Sequence, residues 1–421
     1  MERMNADNPQ IPKSVLFSGK SMRTVSVIIP LWNGEKWIRP CLNALFRQSD
    51  SARGDGAPFA LEVVVVDNDS RDNSPAIVEK EFPAARLIRN DRNRGFAGGC
   101  NVGLAAATGD VLVLLNQDTV LQPGWLAALV AALDEKGVGV AGSLALLSDG
   151  KTVQHAGGVV DWPLGIARHR GYGEALDDRW QQMGDVPFVT GASLAFRREV
   201  LERIGPLDEG FWPGYYEDVD FCWRARAAGY RVRYAPDSTL IHAESSSFTD
   251  PIFADPVYTA WARLRGRLRF GLKHLPPQRF VDEFLPAEAA YQPTVLAGDR
   301  YGQIARAYLE ATPMALALWP SRGATNEQMR VAVRGLAQLC PPLAPMTGRL
   351  ADIPMPDAPL LTPSPLDRMP GLGQVRRALH NLAIFYSERR QRELLALIQA
   401  DREIVLRLET EIARLQEKLS E

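Results

Sequence analysis

Cysteine is scarce: four residues in 421, Cys41, Cys100, Cys222 and Cys340, all far apart. No CxxC pair occurs, which argues against a zinc knuckle or a redox dithiol. Scattered thiols in a chain this long suit a reducing compartment. Excess charge of either sign is also lacking, with 48 Lys and Arg against 50 Asp and Glu for a net charge of −2. No global basic field advertises nucleic acid, and no nucleic-acid partner is expected. Long apolar runs are missing too. The longest, Trp125 to Leu133, is far short of a membrane span, and the first 24 residues lack the apolar core of a signal peptide. The expected setting is therefore cytoplasmic. Charged residues at 23% and apolar residues at 46% are ordinary for a globular protein and exclude global disorder or a collagen-like chain.

What is present is alternation. After a polar arm at 1–24, short apolar and β-branched runs stand at Val25–Pro30, Leu61–Val66 and Val111–Leu115. Helix-like stretches lie among them at Glu35–Gln48, Ser74–Glu81, Ala97–Ala107 and Pro123–Lys136. This pattern predicts an α/β fold with a mostly parallel sheet, buried on both faces and flanked by helices. Ligands of such sheets bind beyond the carboxyl ends of the strands. A second, more irregular block at 143–245 is rich in Gly, Trp and Tyr; it carries a helix expected at Asp218–Ala228 and strands at Val232–Tyr234 and Thr239–Ile241.

Four polar clusters sit where chemistry is expected. Asp67-Asn68-Asp69-Ser70 follows a strand; its carboxylates could bind a base, or form an Asx turn capping the next helix. Asn93 to Gly103 is glycine-rich and opens a helix, which suits close approach to phosphate or, equally, tight helix–strand packing. It is not a Walker motif, because no Gly-Lys-Ser/Thr follows. Asn116-Gln117-Asp118 ends the most apolar strand, where a carboxylate can hold Mg2+ or Mn2+ with a diphosphate, or cap the next helix. Glu217-Asp218-Val219-Asp220 crowds three carboxylates into four residues: either a general base is among them or they form an acidic first helical turn. His242 follows a β-branched run and could ligate metal or be a buried hydrogen-bonded histidine.

Seven segments occur in order between Val25 and about His242: VSVIIPLWNGEKWI, VVVVDNDSRDNS, NDRNRGFAGGCNVG, LLNQDT, VTGASLAFRREVLERIGPLDEGFW, YYEDVDFCWRARAAGYRV and LIH. Together they resemble the inverting family 2 glycosyltransferases of GT-A fold, and within them a subgroup of rhamnosyltransferases and surface-polysaccharide enzymes. The resemblance implies a GT-A catalytic domain over 25–245. It implies transfer of a sugar, rhamnose from dTDP-rhamnose first and UDP- or GDP-sugars otherwise, to a hydroxyl of a glycan or lipid-linked acceptor. A non-catalytic glycan-binding or scaffold protein on the same fold is the reading from another class.

The resemblance also implies roles. Pro30, Trp32 and Asp67 line the base and ribose pocket. The loop carrying Asn93, Arg94, Gly95 and Asn101 closes over the nucleotide, and Gln117 joins the donor site. Asp118 and His242 hold the cation, with Asn116 in place of the motif's first acid. Asp218 is the base, with Glu217 beside it. Gly191 and Ala192 border the sugar, and Trp212 and Tyr216 the acceptor.

A helical extension is expected at 246–338. Within it Trp261, Leu264, Leu268, Leu272 and Leu275 share one helical face, surrounded by Arg263, Arg265, Arg267, Arg269 and Lys273. That composition suits a helix at the inner face of a membrane, or a stripe packed on the catalytic domain with its arginines solvated or holding acceptor phosphate. A proline-rich linker at 339–375 leads to 376–421. There Ile384, Ile398, Val405, Ile412 and Leu419 recur in heptad register with Leu394, Leu408 and Leu415, and Asp401 interrupts the second seam. The pattern predicts a short coiled coil forming a homodimer or meeting another helix, or an amphipathic helix packed on its own domain.

Overall fold

The computed structural model describes residues 23–51, 59–243, 256–299 and 304–340. The N-terminal arm, most of the linker and the heptad tail lie outside the described residues. In chain order the sheet strands are β1 (Arg23–Leu31), β2 (Phe59–Asp67), β3 (Arg86–Arg89), β4 (Val111–Leu115), β5 (Thr119–Leu121), β6 (Val138–Leu146), β7 (Val153–His155), β10 (Gly184–Asp185), β11 (Ser193–Arg197) and β12 (Arg231–His242); β8 (Gly158–Asp161) and β9 (Ile166–His169) form a separate hairpin. The sheet order is β10-β12-β6-β11-β4-β1-β2-β3.

Strands β3, β2, β1 and β4 are mutually parallel. The second half of the sheet is mixed, because β11 runs antiparallel to both β4 and β6. Two reversals restore the direction, so β6 and β12 point the same way as β4. The carboxyl ends of β1, β2, β4 and β12 therefore share one edge of the sheet.

Alternation along the strands builds two cores. Val25, Val27 and Ile29 of β1 face a layer with Val113, Leu115 and helices α1 (Ile38–Ser51), α2 (Ser74–Glu81) and α4 (Trp125–Leu133). Ile28, Leu112 and Leu114 face the opposite layer, with α3 (Gly95–Ala106), Phe196 and α6 (Glu217–Ala227). A period of two with apolar residues on both faces is why these strands read as continuous hydrophobic runs. Helix α3 lies so close to the sheet that a Cβ on Gly103 would come within 2.3 Å of Ile28 Cγ2. At Gly103 the glycine serves tight packing.

After β12, helices α7 (Pro256–His274), α8 (Pro277–Arg279), α9 (Leu285–Val295), α10 (Arg306–Leu318) and α11 (Asn326–Leu339) form a third core; α5 (Arg198–Ile204) lies earlier, after β11. No helix of the described residues is long and apolar enough to cross a membrane.

The membrane-surface reading of α7 is not the one the packing takes. Trp261, Leu264, Leu268, Leu272 and Leu275 are all buried against α9–α11 and the α8–α9 turn. Three of the arginines between them, Arg265, Arg267 and Arg269, turn onto carboxylates and carbonyls. Arg267 forms a doubly hydrogen-bonded pair with Glu288 at 2.6 Å, Arg269 pairs with Asp208 at 2.8 Å, and Arg265 donates to the carbonyls of Gly210 and Trp212 at 2.9 and 2.6 Å. Burying the stripe removes apolar area from water, so the helix is committed to protein. Through Arg265 and Arg269 it also braces the 208–212 turn.

Candidate functional site

A cleft of about 880 Å³ opens at the shared carboxyl edge of the sheet and runs toward α7 and α9. Pro30, Trp32, Asn93, Gly95, Gln117, Asp118, Gly191, Ala192, Trp212, Tyr216, Glu217, Asp218 and His242 all line it. Thus 13 of the 16 residues singled out from the sequence converge from strands, helices and loops as far apart as positions 30 and 242.

At one end, β5 pairs antiparallel with β12 and sets Thr119 opposite His242, which places Asp118 beside that histidine. His242 Nε2 lies 3.2 Å from Asp118 Oδ1 and 3.1 Å from Asn116 Nδ2, and its Nδ1 lies 2.8 Å from Gln154 Oε1. With the side-chain amides oriented this way, Nδ1 carries the proton and donates to Gln154, while Nε2 accepts from Asn116. The Nε2 lone pair then faces a carboxylate oxygen. That arrangement is repulsive unless a proton or cation lies between them. Asn116 Oδ1 is buried without a hydrogen-bond partner. An oxygen and an imidazole nitrogen around one carboxylate, with a spare amide oxygen at hand, fit a hard divalent cation of the Mg2+ or Mn2+ kind that takes its remaining ligands from a bound molecule. Among the described residues no group of three or more His, Cys, Asp and Glu forms a complete metal cage. Gln154 went unnoticed in the sequence, where the isolated Val-Gln-His string gives no sign that the amide orients a ring 88 positions away.

Asp218 sits in the first turn of α6. Its Oδ2 accepts the Gly191 backbone N–H at 2.8 Å and its Oδ1 the Val219 N–H at 2.8 Å. Burial pushes this carboxyl up, and the backbone N–H groups of Gly191 and Val219 pull against that rise. Glu217 beside it is buried with Oε2 unpartnered; burial first, then the neighbouring charges of Asp218 and Asp220, push it well above the usual carboxylate range. Asp220 differs. Burial also penalises its charge, but hydrogen bonding to His274 and the charges of Lys273 and Arg224 outweigh that and hold it far below the usual range. Its pairs are Lys273 at 2.7 Å, His274 at 2.7 Å and Arg224 at 2.8 Å. The crowded acids thus divide into one carboxylate at the cleft, one proton-retaining neighbour and one structural ion pair.

Two consecutive non-glycine residues, Tyr215 (φ 73°) and Tyr216 (φ 75°), hold the left-handed conformation just before α6. Such backbone costs on the order of 1–3 kcal/mol per residue and persists only where the surroundings impose it. Here Tyr216 is fixed by its hydroxyl, which donates to the Gly165 carbonyl and accepts from the Ala167 N–H, both at 3.1 Å. Burial pushes that phenol up to about 12.

Three of the expected residues stand apart from the cleft wall. Asp67 is buried and accepts the Ser70 N–H at 2.9 Å, the Asx-turn arrangement. Arg94 pairs with Asp91 at 3.5 Å. Asn101, on α3, exchanges hydrogen bonds with the Leu207 N–H and carbonyl at 3.0 and 2.9 Å and reaches Glu209 at 3.0 Å, so it ties α3 to the 207–209 segment. Gln117 does line the cleft, but its amide is spent on both backbone groups of Trp32, at 2.9 and 3.0 Å.

Asn68 was missed and is a hub. It donates to the Gly95 carbonyl at 3.0 Å and accepts from Asn90 at 2.8 Å, which sets the loop that opens α3. Gly95 (φ 71°) is required there: a Cβ would meet Pro213 O and Trp212 Cδ1 at 2.8 Å.

The family model described as "Glycosyl transferase family 2" matches residues 26–205. The chain is similar to the pre-mycofactocin glycosyltransferase of Mycobacterium tuberculosis, at 29% identity over 252 residues, covering 57% of this chain and 47% of that protein. It is also similar to the O-antigen biosynthesis protein RfbC of Myxococcus xanthus, at 30% identity over 232 residues, covering 53% of this chain and 17% of that protein. The chain thus spans less than half the length of either relative. Among solved structures, a mannosyltransferase of Pyrobaculum calidifontis in complex with GDP-Man and Mn2+ overlaps at a TM-score of 0.43 with 21% identity, covering 76% of this chain and 87% of that one.

Proposed function

We propose, on the match of the glycosyl transferase family 2 model to residues 26–205, that the chain is an inverting glycosyltransferase. It moves a sugar from a nucleoside-diphosphate donor to a hydroxyl of a glycan or lipid-linked acceptor in surface-polysaccharide synthesis. The observation that carries the reading is one cleft holding both the Asn116–Asp118–His242 group and the half-buried carboxylate Asp218. The O-antigen relative supports the polysaccharide setting. Rhamnose from dTDP-rhamnose is the first donor to test, and it rests on the resemblance to rhamnosyltransferases.

The division of labour follows from the geometry. Asp118 and His242, with Asn116, would hold the cation, whose chemistry is to offset charge on the departing diphosphate. Pro30 and Trp32 at the end of β1, with Asn93 and Gly95, form the donor wall. Asp218 takes the proton of the acceptor hydroxyl as that oxygen attacks the anomeric carbon and the bond to the diphosphate breaks. Attack from the face opposite the leaving group inverts the centre, and no covalent glycosyl-enzyme is needed. The Gly191 and Val219 N–H groups fix the carboxylate's orientation and leave lone pairs on both oxygens for the incoming proton. Glu217, retaining its proton, avoids a second charge beside the base. Trp212, 43% exposed, and Tyr216 stand on the acceptor side.

The test is release of nucleoside diphosphate from a panel of dTDP-, UDP- and GDP-sugars with Mn2+ or Mg2+, in the wild type and in Asp118→Ala and His242→Ala. Turnover of one donor that requires the metal and weakens in both variants supports the reading. Turnover indifferent to metal and to both variants contradicts the assigned cation site.

A further inference from the structure

Five cationic side chains follow one another along α7, and four are neutralised. Arg265 pairs with Glu310, Arg267 with Glu288, Arg269 with Asp208, and Lys273 with Asp208 and Asp220. Arg263 is treated differently. Its guanidinium lies over the Tyr215 ring, 5.0 Å from the centroid, and it makes no ion pair among the described residues. The Tyr215 ring and its hydroxyl, which accepts a hydrogen bond from Arg263, hold the guanidinium without cancelling its charge, so its remaining N–H groups stay able to bind an anion. The ring beneath it belongs to Tyr215, the first of the two consecutive tyrosines in left-handed conformation, so strained backbone is maintained where it seats this arginine.

Arg263 also faces the right space. It lines the cleft together with Ala260, Leu264, Tyr291 and Val295, at the end walled by α7 and α9. The other arginines lining the cleft are occupied, Arg168 by Asp161 and Arg267 by Glu288. The acidic groups of the wall are Asp118, Asp218 and Glu217, the last of which retains its proton. Arg263 is exposed and, among the described residues, without an ion-pair partner, so beside the apolar side chains of this end of the cleft it can take up one negative group through charge-assisted hydrogen bonds.

We infer that the α7–α9 end of the cleft is an acceptor subsite for an anionic group, a phosphate or a carboxylate, and that Arg263 recognises it. This rests on the glycosyltransferase reading, in which the donor's diphosphate occupies the opposite end at Asp118 and His242. The anion at Arg263 then belongs to the acceptor, held near the hydroxyl that Asp218 deprotonates.

Binding of n-octyl phosphate, octanoate and octyl glucoside to the full chain tests this by calorimetry, in the wild type, Arg263→Gln and Arg263→Lys, with and without UDP, dTDP and GDP in Mn2+. The expected result is salt-sensitive binding of an anionic probe that falls at least tenfold in Arg263→Gln and partly recovers in Arg263→Lys, with octyl glucoside unaffected. Whichever of octyl phosphate and octanoate binds more tightly identifies the anion class. Equal anionic-probe affinity in the wild type and Arg263→Gln, no anionic binding at all, or displacement of the probe by a nucleoside diphosphate would each overturn the inference. If no nucleotide binds the wild type while Arg263-dependent anion binding persists, the glycosyltransferase reading has failed instead, and the acceptor assignment fails with it.

Discussion

The backbone N–H of Gly191 donates to Asp218 Oδ2 at 2.8 Å, joining the turn before β11 to the first turn of α6. The carboxylate is thereby held from two elements, since its other oxygen accepts from Val219. Substituting Asp218→Asn keeps the volume and one acceptor but removes the base. Transfer is expected to fall by about 10²–10⁴-fold, the usual contribution of a general base. Donor affinity, measured by calorimetry, is expected to stay within a few-fold of wild type.

The pH profile of the wild type follows from the same burial. A base works only when ionised, and burial raises the Asp218 carboxyl above the ordinary aspartate value of about 3.9. The acidic limb of kcat/KM is expected above that value, with activity rising as pH rises through it. A limb at or below the ordinary value would count against Asp218.

Glu217 makes an opposite prediction for stability. Its folded-state carboxyl is raised well above its unfolded value, so the folded state binds the extra proton. That contribution is fully present below the unfolded value and is lost as pH rises toward the folded one, at about 1.4 kcal/mol per unit of difference. Glu217→Gln, permanently neutral, is expected to raise the melting temperature relative to wild type at pH 8 more than at pH 4.5. The comparison of thermal melts at the two pH values checks it.

Gln154 touches the candidate cation site only through His242. Replacing it with Leu removes the acceptor that fixes the ring's tautomer and angle. Such supporting residues are typically worth about 10–100-fold in metal affinity or activity. A Mn2+ titration of donor turnover is expected to show a raised metal requirement, relieved in part by excess metal.

Gly95→Ala adds a Cβ at φ 71° that meets Pro213 O and Trp212 Cδ1 at 2.8 Å. The left-handed backbone alone costs on the order of 1–3 kcal/mol. The expected outcome is a lowered melting temperature and a quenching-accessibility change at Trp212, read by its fluorescence.

The parallel half of the sheet was legible because its strands are bounded apolar runs. Strand β4 spans Val111–Leu115 and α2 spans Ser74–Glu81, as the pattern indicates. The mixed half was harder. Strand β6, buried throughout, drew no sequence assignment over 138–142 and carries Gly139 and Gly142; both are needed because a Cβ would strike Tyr230 at 2.7 Å and Val189 at 2.3 Å. Strand β12 reads as two short strands because Pro236 and Asp237 interrupt it, and in the fold the same stretch is a register shift between Ala235 and Thr239 within one strand. In the site, residue types at strand ends indicated Asp118 and His242. Asn68 stood in a cluster singled out for its carboxylates, and nothing local indicated its amide's role or that of Gln154, since both act through partners brought close only by folding; Asn101, expected to bind the nucleotide, serves as a clamp between α3 and residues 207–209.

The central claim is that one cleft holds a metal-dependent donor site and a separate base. Its most direct test is a single assay of nucleoside diphosphate release and sugar transfer with the donor that turns over, comparing wild type, Asp118→Ala and Asp218→Asn across a Mn2+ titration. The account predicts that Asp118→Ala weakens donor binding in a metal-dependent way, while Asp218→Asn binds donor and metal normally and loses transfer. Full transfer by Asp218→Asn, or identical metal dependence in Asp118→Ala and wild type, would contradict it.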